Sequence, residues 1–365
     1  MMDLRPALQG IIWSDWWRVL RENRFRIAPR FWGRAIGTSA VALLNSVNAW
    51  VEKQTYGAQI DEARVVAPIF ILGHWRSGTT WLHELLSQDA RFAAPTLFQV
   101  WNPHTFLTTE SRTRRLAGAN VRDDRGFDRV QIGFDAASED EFALWHGSGR
   151  SDFMSWTFPR SAAFYDRYLD GVALSDAERK AWRAAFDTFL RKLTVRYPER
   201  TLLLKSPQHT ARAALLAEMY PDARFVYIHR HPVDVFRSTQ RLYSYLAGVS
   251  CLQINDWYDA PERILQQGRR VFSAWAEARG PLAPRVAEVA YDDLVQQPLA
   301  TLERIYDRLD LPDYEAARPS FETYLARQSG YRTNSYEPLQ PAMLSRLREA
   351  WRLAWELGSY QDRAA

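Results

Sequence analysis

Short apolar runs alternate with longer helical patterns in the part of the chain that follows residue 67. The runs are continuous rather than alternating, which is typical of strands in a parallel sheet that is buried on both faces. They predict strands at residues 68–72, 201–205, 224–228 and 286–291. Apolar residues at helical spacing predict helices at about 175–196, 210–219, 232–243, 260–279, 298–309 and 341–356. This order predicts an α/β fold, a three-layer sandwich with a central parallel sheet.

Residues 1–65 have a different pattern, rich in tryptophan and arginine. Aromatic residues recur at helical spacing over 13–20, and residues 35–51 form a second, mostly apolar helical pattern. We predict an N-terminal helical extension over 1–65 and a main domain over 66–365. Two interpretations of the extension stay open: its aromatic stripe packs on the main domain, or it contacts an anionic membrane or an apolar substrate.

Composition narrows the class of protein. The 365 residues include 47 lysines and arginines and 43 aspartates and glutamates, and the net charge of +4 is too small to indicate nucleic acid binding. The single cysteine, Cys251, cannot form an intrachain disulfide and fits a reducing compartment. Because no run of eighteen apolar residues or signal peptide is evident, we expect a cytoplasmic protein whose membrane contact, if any, is peripheral.

The run 68–72 ends in a glycine-containing loop that precedes a helical pattern. Gly73, Gly78 and Thr80 match the ATP-binding pattern of Gly, four residues, Gly, Lys and Ser/Thr, but Thr79 stands where the lysine belongs. Free backbone N–H groups at a helix N-terminus bind phosphate. Because the lysine that reaches the β- and γ-phosphates is missing, this P-loop-like phosphate-binding loop predicts a nucleotide other than a triphosphate.

Positive side chains recur where the predicted strands end. Arg76 lies in the loop, Lys205 ends one strand and Arg230 follows another, with Ser238 two turns into the next helix. In parallel sheets, ligands bind at the carboxyl ends of the strands. An ATPase would place a metal-holding aspartate there, so we predict a second anionic group and no metal ligand. His209 follows Lys205 and could take a proton from an alcohol, because its ordinary pKa is about 6.5.

These segments resemble the cytosolic-type sulfotransferase family, more narrowly its bacterial branch with an arginine in the loop, over residues 67–330. The resemblance implies transfer of a sulfuryl group from 3′-phosphoadenosine 5′-phosphosulfate (PAPS) to the hydroxyl of a hydrophobic small molecule or lipid, without a metal. It assigns the donor-binding residues: the loop Arg76, Ser77, Gly78, Thr79, Thr80 and Trp81, then Arg230 and Ser238 for the 3′-phosphate, Tyr291 near the adenine, and Arg327 and Arg332 near the C-terminus.

The resemblance also assigns the catalytic residues. Arg76 and Lys205 would stabilise charge on the bridging and sulfuryl oxygens. Lys205 and His209 correspond to the family's lysine and histidine, but three residues separate them here, where the better-known members have one. The general base therefore stays open between His209 and a glutamate.

The segment 138–141 supplies the alternative bases. Glu141 or Glu139 could serve if burial raises the pKa of its carboxyl group, and related sulfotransferases that act on tyrosine use a glutamate. His104 is a third candidate.

Aromatic clusters at 92–106, 142–164 and 243–258 suit an apolar alcohol, phenol or lipid as acceptor.

Two other functions remain as alternatives. One is a P-loop kinase, which would need a loop lysine and an acidic metal ligand. The other is a non-catalytic nucleotide-binding protein of the same fold that associates with membranes.

Overall fold

The computed structural model describes residues 3, 5–117, 122–124, 131–133, 135–246, 250–254, 260–328 and 338–361. The chain divides into two compact units. The helical unit comprises Met1–Val65, Pro95–Pro198 and Leu242–Tyr258, and the sheet unit comprises Val66–Ala94, Glu199–Arg241 and Asp259–Ala365. The predicted division into an extension (1–65) and a main domain (66–365) stays a prediction.

Along the described residues, the strands in chain order are β1 (Ile69–Leu72), β2 (Phe92–Ala93), β3 (Arg122–Asp124), β4 (Gln131–Gly133), β5 (Thr201–Lys205), β6 (Arg224–His229) and β7 (Val286–Ala290). The helices are α1 (Trp13–Glu22), α2 (Trp32–Glu62), α3 (Thr79–Leu86), α4 (Leu97–Trp101), α5 (Phe106–Ala117), α6 (Glu141–Ala143), α7 (Met154–Thr157), α8 (Ala162–Tyr165), α9 (Asp176–Arg196), α10 (Gln208–Ala211), α11 (Ala213–Met219), α12 (Pro232–Leu246), α13 (Ala260–Leu282), α14 (Tyr291–Gln296), α15 (Pro298–Arg308), α16 (Tyr314–Arg327), α17 (Pro341–Ala350) and α18 (Arg352–Gly358). Single 3₁₀ turns lie at Pro29–Phe31, Pro159–Ser161, Asp166–Tyr168 and Ala283–Arg285, and a π turn lies at Leu144–Ser148.

The sheet unit is built on a parallel five-stranded sheet in the order β2-β5-β1-β6-β7. β1 lies at the centre, with Ile71 opposite Lys205 of β5 and Leu72 opposite Tyr227 of β6. All four residues of β1 are buried, as its continuous apolar run predicts. The predicted central parallel sheet is confirmed, and the two-residue β2 is an addition to it.

Helices cover both faces of this sheet. On one face, Ile69 and Ile71 belong to the core that includes Leu82 of α3 and Ile305 of α15. On the other face, Phe70 packs against Tyr220 and Phe225, and Tyr227 packs against Trp275 of α13. The predicted three-layer α/β architecture is therefore confirmed.

The helical unit contains the predicted N-terminal helices. α1 packs on α2, where Trp16 Nε1 donates a hydrogen bond to Ser39 Oγ (2.9 Å). α2 also contacts α9, where buried Glu52 forms an ion pair with buried Lys192. Breaking such a buried pair from one side costs about 3–5 kcal/mol, because the remaining charge is left uncompensated. No helix in the described part of the chain is long and apolar enough to cross a bilayer.

α9 begins as its sequence predicts. Ser175 is the N-cap, and its hydroxyl accepts a hydrogen bond from Glu178 N (3.4 Å). In return, Ser175 N donates to the Glu178 carboxylate (2.9 Å). This capping box gives hydrogen-bond acceptors to two backbone N–H groups, of Ser175 and Glu178, that would otherwise be unpaired at the start of the helix.

Candidate active site

The loop between β1 and α3 lies close to the strands beside it. A Cβ added to Gly73 would lie 2.6 Å from the carbonyl oxygen of Ile228 on β6. One added to Gly78, whose φ is +105°, would lie 2.4 Å from the ring of Tyr291. Both positions therefore require glycine, because a side chain would push the loop away from the sheet edge.

Side chains hold this loop from within the sheet unit. Gly73 N donates a hydrogen bond to Thr210 Oγ1 (2.7 Å), and the Thr210 hydroxyl donates to Gly73 O (3.1 Å). Ser77 Oγ donates to His74 O (2.8 Å). Burial lowers the pKa of His74 to about 4, so its ring is neutral at physiological pH and adds no charge to the loop.

Arg76 joins the loop to α12. Its φ of +68° is unusual for a residue with a side chain, and such strain is concentrated at functional sites. Arg76 Nε donates a hydrogen bond to the buried Ser238 Oγ (2.8 Å). Two predicted donor-binding residues, which lie far apart in the sequence, are therefore in direct contact.

Lys205 lies at the N-terminus of α3. It ends β5 beside β1 and is only 2% exposed. Its Nζ donates a hydrogen bond to Thr80 Oγ1 (3.4 Å) in the first turn of α3. A buried ammonium and a helix N-terminus both favour a bound anion.

Arg230 and Trp81 lie around the ring of Tyr291, the first residue of α14. The Arg230 guanidinium is 4.3 Å from the centroid of this ring, and the Trp81 ring centroid is 6.5 Å from it. Arg230 Nε lies 3.7 Å from the Asp234 carboxylate and makes no hydrogen bond among the described residues. An arginine nitrogen that is buried without a hydrogen bond fits an anionic ligand that supplies the acceptor.

His209 lies in the apolar layer behind β1. Its side chain is fully buried, and its ring packs edge-on against Phe70 at 5.4 Å. Phe70 is in the middle of β1 rather than at its carboxyl end. The catalytic role of His209 stays a prediction.

Glu141 lies in the helical unit, at the start of α6. It is fully buried together with Asp140, whereas Glu139 is half-buried. The π turn Leu144–Ser148 follows within the same segment. π turns within helices are rare and are frequent at functional sites. The burial of Glu141 contrasts with the solvated helix start that an acidic run usually indicates.

The other candidates lie elsewhere. Arg327 is exposed at the end of α16, and Arg332 lies outside the described residues. His104 Nε2 donates a hydrogen bond to Gly147 O (3.2 Å), and burial, followed by the charge of Lys192, lowers the pKa of its ring. Among the described residues, no group of three or more histidine, cysteine, aspartate or glutamate side chains could hold a metal ion.

Two residues of the site were not predicted. Thr210 is fully buried and fastens Gly73, and Asp234 lies beside Arg230. The position of Asp234, four residues after Arg230 in a predicted helix, is a signal that could have identified the ion pair. Thr210 carries no such signal, because its contact joins segments 137 residues apart.

Comparison with known proteins identifies the class. The model of the sulfotransferase family matches residues 68–316. The omega-hydroxy-beta-dihydromenaquinone-9 sulfotransferase Stf3 of Mycobacterium bovis is 32% identical over 335 residues, which cover 91% of this chain and 86% of that protein. The protein of the same name from Mycobacterium tuberculosis matches equally well.

Solved structures agree in fold. The sulfotransferase STF9 from Mycobacterium avium superposes with a TM-score of 0.72 at 20% identity, over 98% of this chain and 94% of that one. The sulfotransferase STF1 from Mycobacterium tuberculosis superposes with a TM-score of 0.60 at 18% identity, over 93% of this chain and 91% of that one. The chain belongs to the sulfotransferase family, as the sequence motifs indicate. It is a transferase that uses a sulfate donor as co-substrate.

Substitution of Gly78 by alanine tests the loop geometry. We expect Gly78→Ala to weaken nucleotide binding at least about tenfold and to cost about 1–3 kcal/mol of stability, because the new methyl group meets the Tyr291 ring and strains a left-handed backbone. Calorimetric titration and thermal unfolding measure the two effects.

Gly280→Ala is the matched control. An added Cβ at Gly280, in α13, has open space around it, so we expect unchanged binding and a change in stability of less than about 1 kcal/mol. If Gly78→Ala binds nucleotide as well as Gly280→Ala does, the close approach of the loop is not needed for binding.

Proposed function

We propose that the sulfate donor is PAPS and that its two phosphate groups bind at different parts of the sheet unit. The backbone N–H groups of Arg76 and of residues 78–80, with Lys205, would hold the 5′-phosphate at the N-terminus of α3, because the Ser77 N–H already donates to His74 O (3.1 Å). Arg230 and Ser238 would hold the 3′-phosphate. The observation that carries this proposal is the Tyr291 ring, which contacts the loop at Gly78 and has the Arg230 guanidinium 4.3 Å from its centroid.

The residues present fit such a donor. Arg230 Nε is buried without a hydrogen-bond acceptor among the described residues, and a phosphate oxygen would supply one. Trp81, half-buried beside Tyr291, offers an aromatic face for an adenine. We retain Arg327 and Arg332 as predicted donor contacts from the family resemblance.

The chemistry is the transfer of one group between two oxygens. The bond between the sulfuryl sulfur and the phosphate oxygen breaks, a bond from sulfur to the acceptor oxygen forms, and the acceptor proton goes to a base. Lys205 and Arg76 would stabilise the negative charge that develops on the leaving phosphate and on the sulfuryl oxygens. Both cations are fixed by hydrogen bonds, to Thr80 and Ser238, so little reorganisation accompanies the reaction.

We propose Glu141 as the general base. Its carboxyl group is fully buried and is followed by a π turn, whereas the His209 ring packs on Phe70 in the apolar layer behind the sheet. A carboxylate can take the acceptor proton where the acceptor hydroxyl lies within hydrogen-bond reach of it.

We propose a hydroxylated, membrane-resident lipid as the acceptor. The relatives that are 32% identical over nearly the whole chain are named for a hydroxylated dihydromenaquinone. The helical unit also contains an aromatic cluster that follows Glu141 in the chain, in which half-buried Phe142 and buried Trp145 and Phe153 are in mutual ring contact. Apolar walls with a few polar groups suit such a molecule. Because its acceptor would lie in a membrane, the enzyme would contact that membrane peripherally through its N-terminal segment.

The donor proposal predicts a specific loss of binding. Arg230→Ala should weaken binding of 3′-phosphoadenosine 5′-phosphate about 10- to 100-fold, because a charge-assisted contact to the 3′-phosphate is lost. Binding of adenosine 5′-phosphate should not change, and calorimetric titration measures both. Arg279→Ala, which removes an exposed arginine paired with Glu288 on β7, is the control and should leave both affinities unchanged. Equal weakening for both nucleotides in Arg230→Ala would remove the 3′-phosphate assignment.

The base proposal predicts which substitution slows turnover. Glu141→Gln should lower kcat about 10²- to 10⁴-fold while donor affinity is retained, because the amide cannot accept the proton. Glu139→Gln, two residues away and half-buried, serves as the control and should change kcat little. A large loss of kcat in His209→Gln, with normal turnover in Glu141→Gln, would transfer the role to His209.

The acceptor proposal is tested by a transfer screen. With PAPS labelled in its sulfuryl group, we expect label in lipid alcohols with a long apolar chain and little in sugars, as read by mass spectrometry. Sulfation of simple phenols at rates equal to those of lipid alcohols would show that the site does not select a lipid.

A further inference from the structure

α2 has its amphipathic pattern reversed. The residues that it buries are small or polar: Gly33, Ala35, Thr38, Ala42, Asn45 and Glu52. The residues that it exposes include large apolar ones: Trp32, Ile36, Leu43, Leu44, Val47, Trp50 and Val51. A helix on a water-exposed surface normally has the opposite arrangement, with its apolar side facing the core.

The exposed apolar residues of α2 form one continuous surface, which we call the α2 stripe. At about 100° per residue they fall within an arc about 120° wide, on the side opposite Ala35, Ala42 and Glu52. The stripe from Trp32 to Val51 is about 28 Å long at a rise of about 1.5 Å per residue. Leu44, Val47 and Trp50 are 61%, 60% and 64% exposed. Monomeric proteins rarely expose apolar surface of this extent unless it binds something.

The surface continues onto α1. Trp13 and Trp17 are exposed there, and the Trp17 ring contacts the exposed Phe25 at 5.4 Å. Between α1 and α2 lies an open apolar groove of about 340 Å³, whose lining includes Phe25 and Trp32. The stripe, the groove and the α1 tryptophans are therefore one apolar surface of the helical unit.

Positive charge borders this surface at its α1 end. Residues 21–34 include five arginines and one glutamate. Arg24 and Arg26 are exposed on either side of Phe25, and exposed Arg30 stacks on Phe31, next to Trp32. By contrast, residues 35–51 of the stripe contain no charged residue. An apolar face with a basic border matches a bilayer that carries anionic headgroups.

We propose that the α2 stripe and the adjacent α1 tryptophans insert into the interface of an anionic lipid bilayer. Tryptophans at both ends of the stripe fit this position, because indole rings prefer the boundary between headgroups and acyl chains. This proposal rests on the peripheral membrane contact proposed above and identifies the surface that would make that contact. It does not depend on the identity of the donor or on the reaction. The principal contact is α2 rather than the tryptophan-rich α1 alone.

The test is flotation of the full chain with vesicles. We expect the wild type to float with mixed phosphatidylcholine–phosphatidylglycerol vesicles and much less with pure phosphatidylcholine. Leu44→Glu should lower the vesicle partition coefficient about tenfold or more, because a charge replaces an apolar side chain at the lipid contact. Val47→Ser, which adds no charge, should lower it less. Arg24→Ala combined with Arg30→Ala should remove most of the preference for phosphatidylglycerol.

Gln59→Glu is the matched control, since it adds the same charge at an exposed position of α2 outside the stripe. It should float like the wild type. Binding of 3′-phosphoadenosine 5′-phosphate should be normal in every variant, so loss of flotation with retained binding is independent of the donor proposal. Equal flotation of Leu44→Glu and wild type would overturn the proposal. So would a wild type that does not float and instead forms a dimer, measured by sedimentation, that Leu44→Glu dissociates.

Discussion

The loop between β1 and α3 can lie against the carboxyl ends of β6 and β7 only because Gly73 and Gly78 have no side chains. The ring of Tyr291 fills the space beside Gly78, and the Arg230 guanidinium lies 4.3 Å from the centroid of the same ring. Once the loop is in this position, the parallel sheet brings Lys205 from the neighbouring strand to its helix N-terminus. The shape of the proposed donor site therefore follows from the packing of the backbone. Its charged side chains lie where the strands end.

Much of this could be predicted from the sequence, because continuous apolar runs specify buried parallel strands. The four predicted strands are present, and the α9 capping box forms as its Ser175 and Glu178 spacing indicates. The phosphate-binding loop can be recognised because the spacing of its glycines and its place between an apolar run and a helical pattern are local features of the sequence. The place of Arg230 after a strand is also a local signal, although its packing on Tyr291 depends on a segment 61 residues away.

What could not be predicted depends on contacts between distant segments. β2 has only two residues, too few for an apolar pattern, and is defined by its pairing with β5. His209 follows a strand end, yet it points into the core against Phe70, and no local pattern distinguishes that direction. Likewise, the sequence predicts an apolar helix at 35–51, but contacts with distant segments, such as the Glu52–Lys192 ion pair and the Trp16–Ser39 hydrogen bond, determine which side faces outwards.

The proposed reaction and the proposed membrane contact both concern the same acceptor, a lipid alcohol. A lipid alcohol would be scarce in water, so an enzyme that uses one gains from lying on the bilayer that contains it. In α2, small residues such as Ala35 and Ala42 allow close packing inside the helical unit, and Leu44 and Trp50 are left outside. In water alone, this arrangement forgoes the burial of several large apolar side chains, each of which would contribute about 1.5–3 kcal/mol.

In our proposal, one adenosine nucleotide with two phosphates bridges the loop and the end of β6. A crystal structure of the protein with 3′-phosphoadenosine 5′-phosphate tests it most directly. We predict density for the 5′-phosphate on the N–H groups of Arg76 and residues 78–80, and for the 3′-phosphate between Arg230 and Ser238. A nucleotide bound with its 3′-phosphate in solvent, or with Arg230 and Ser238 turned away from the ribose, would contradict the account.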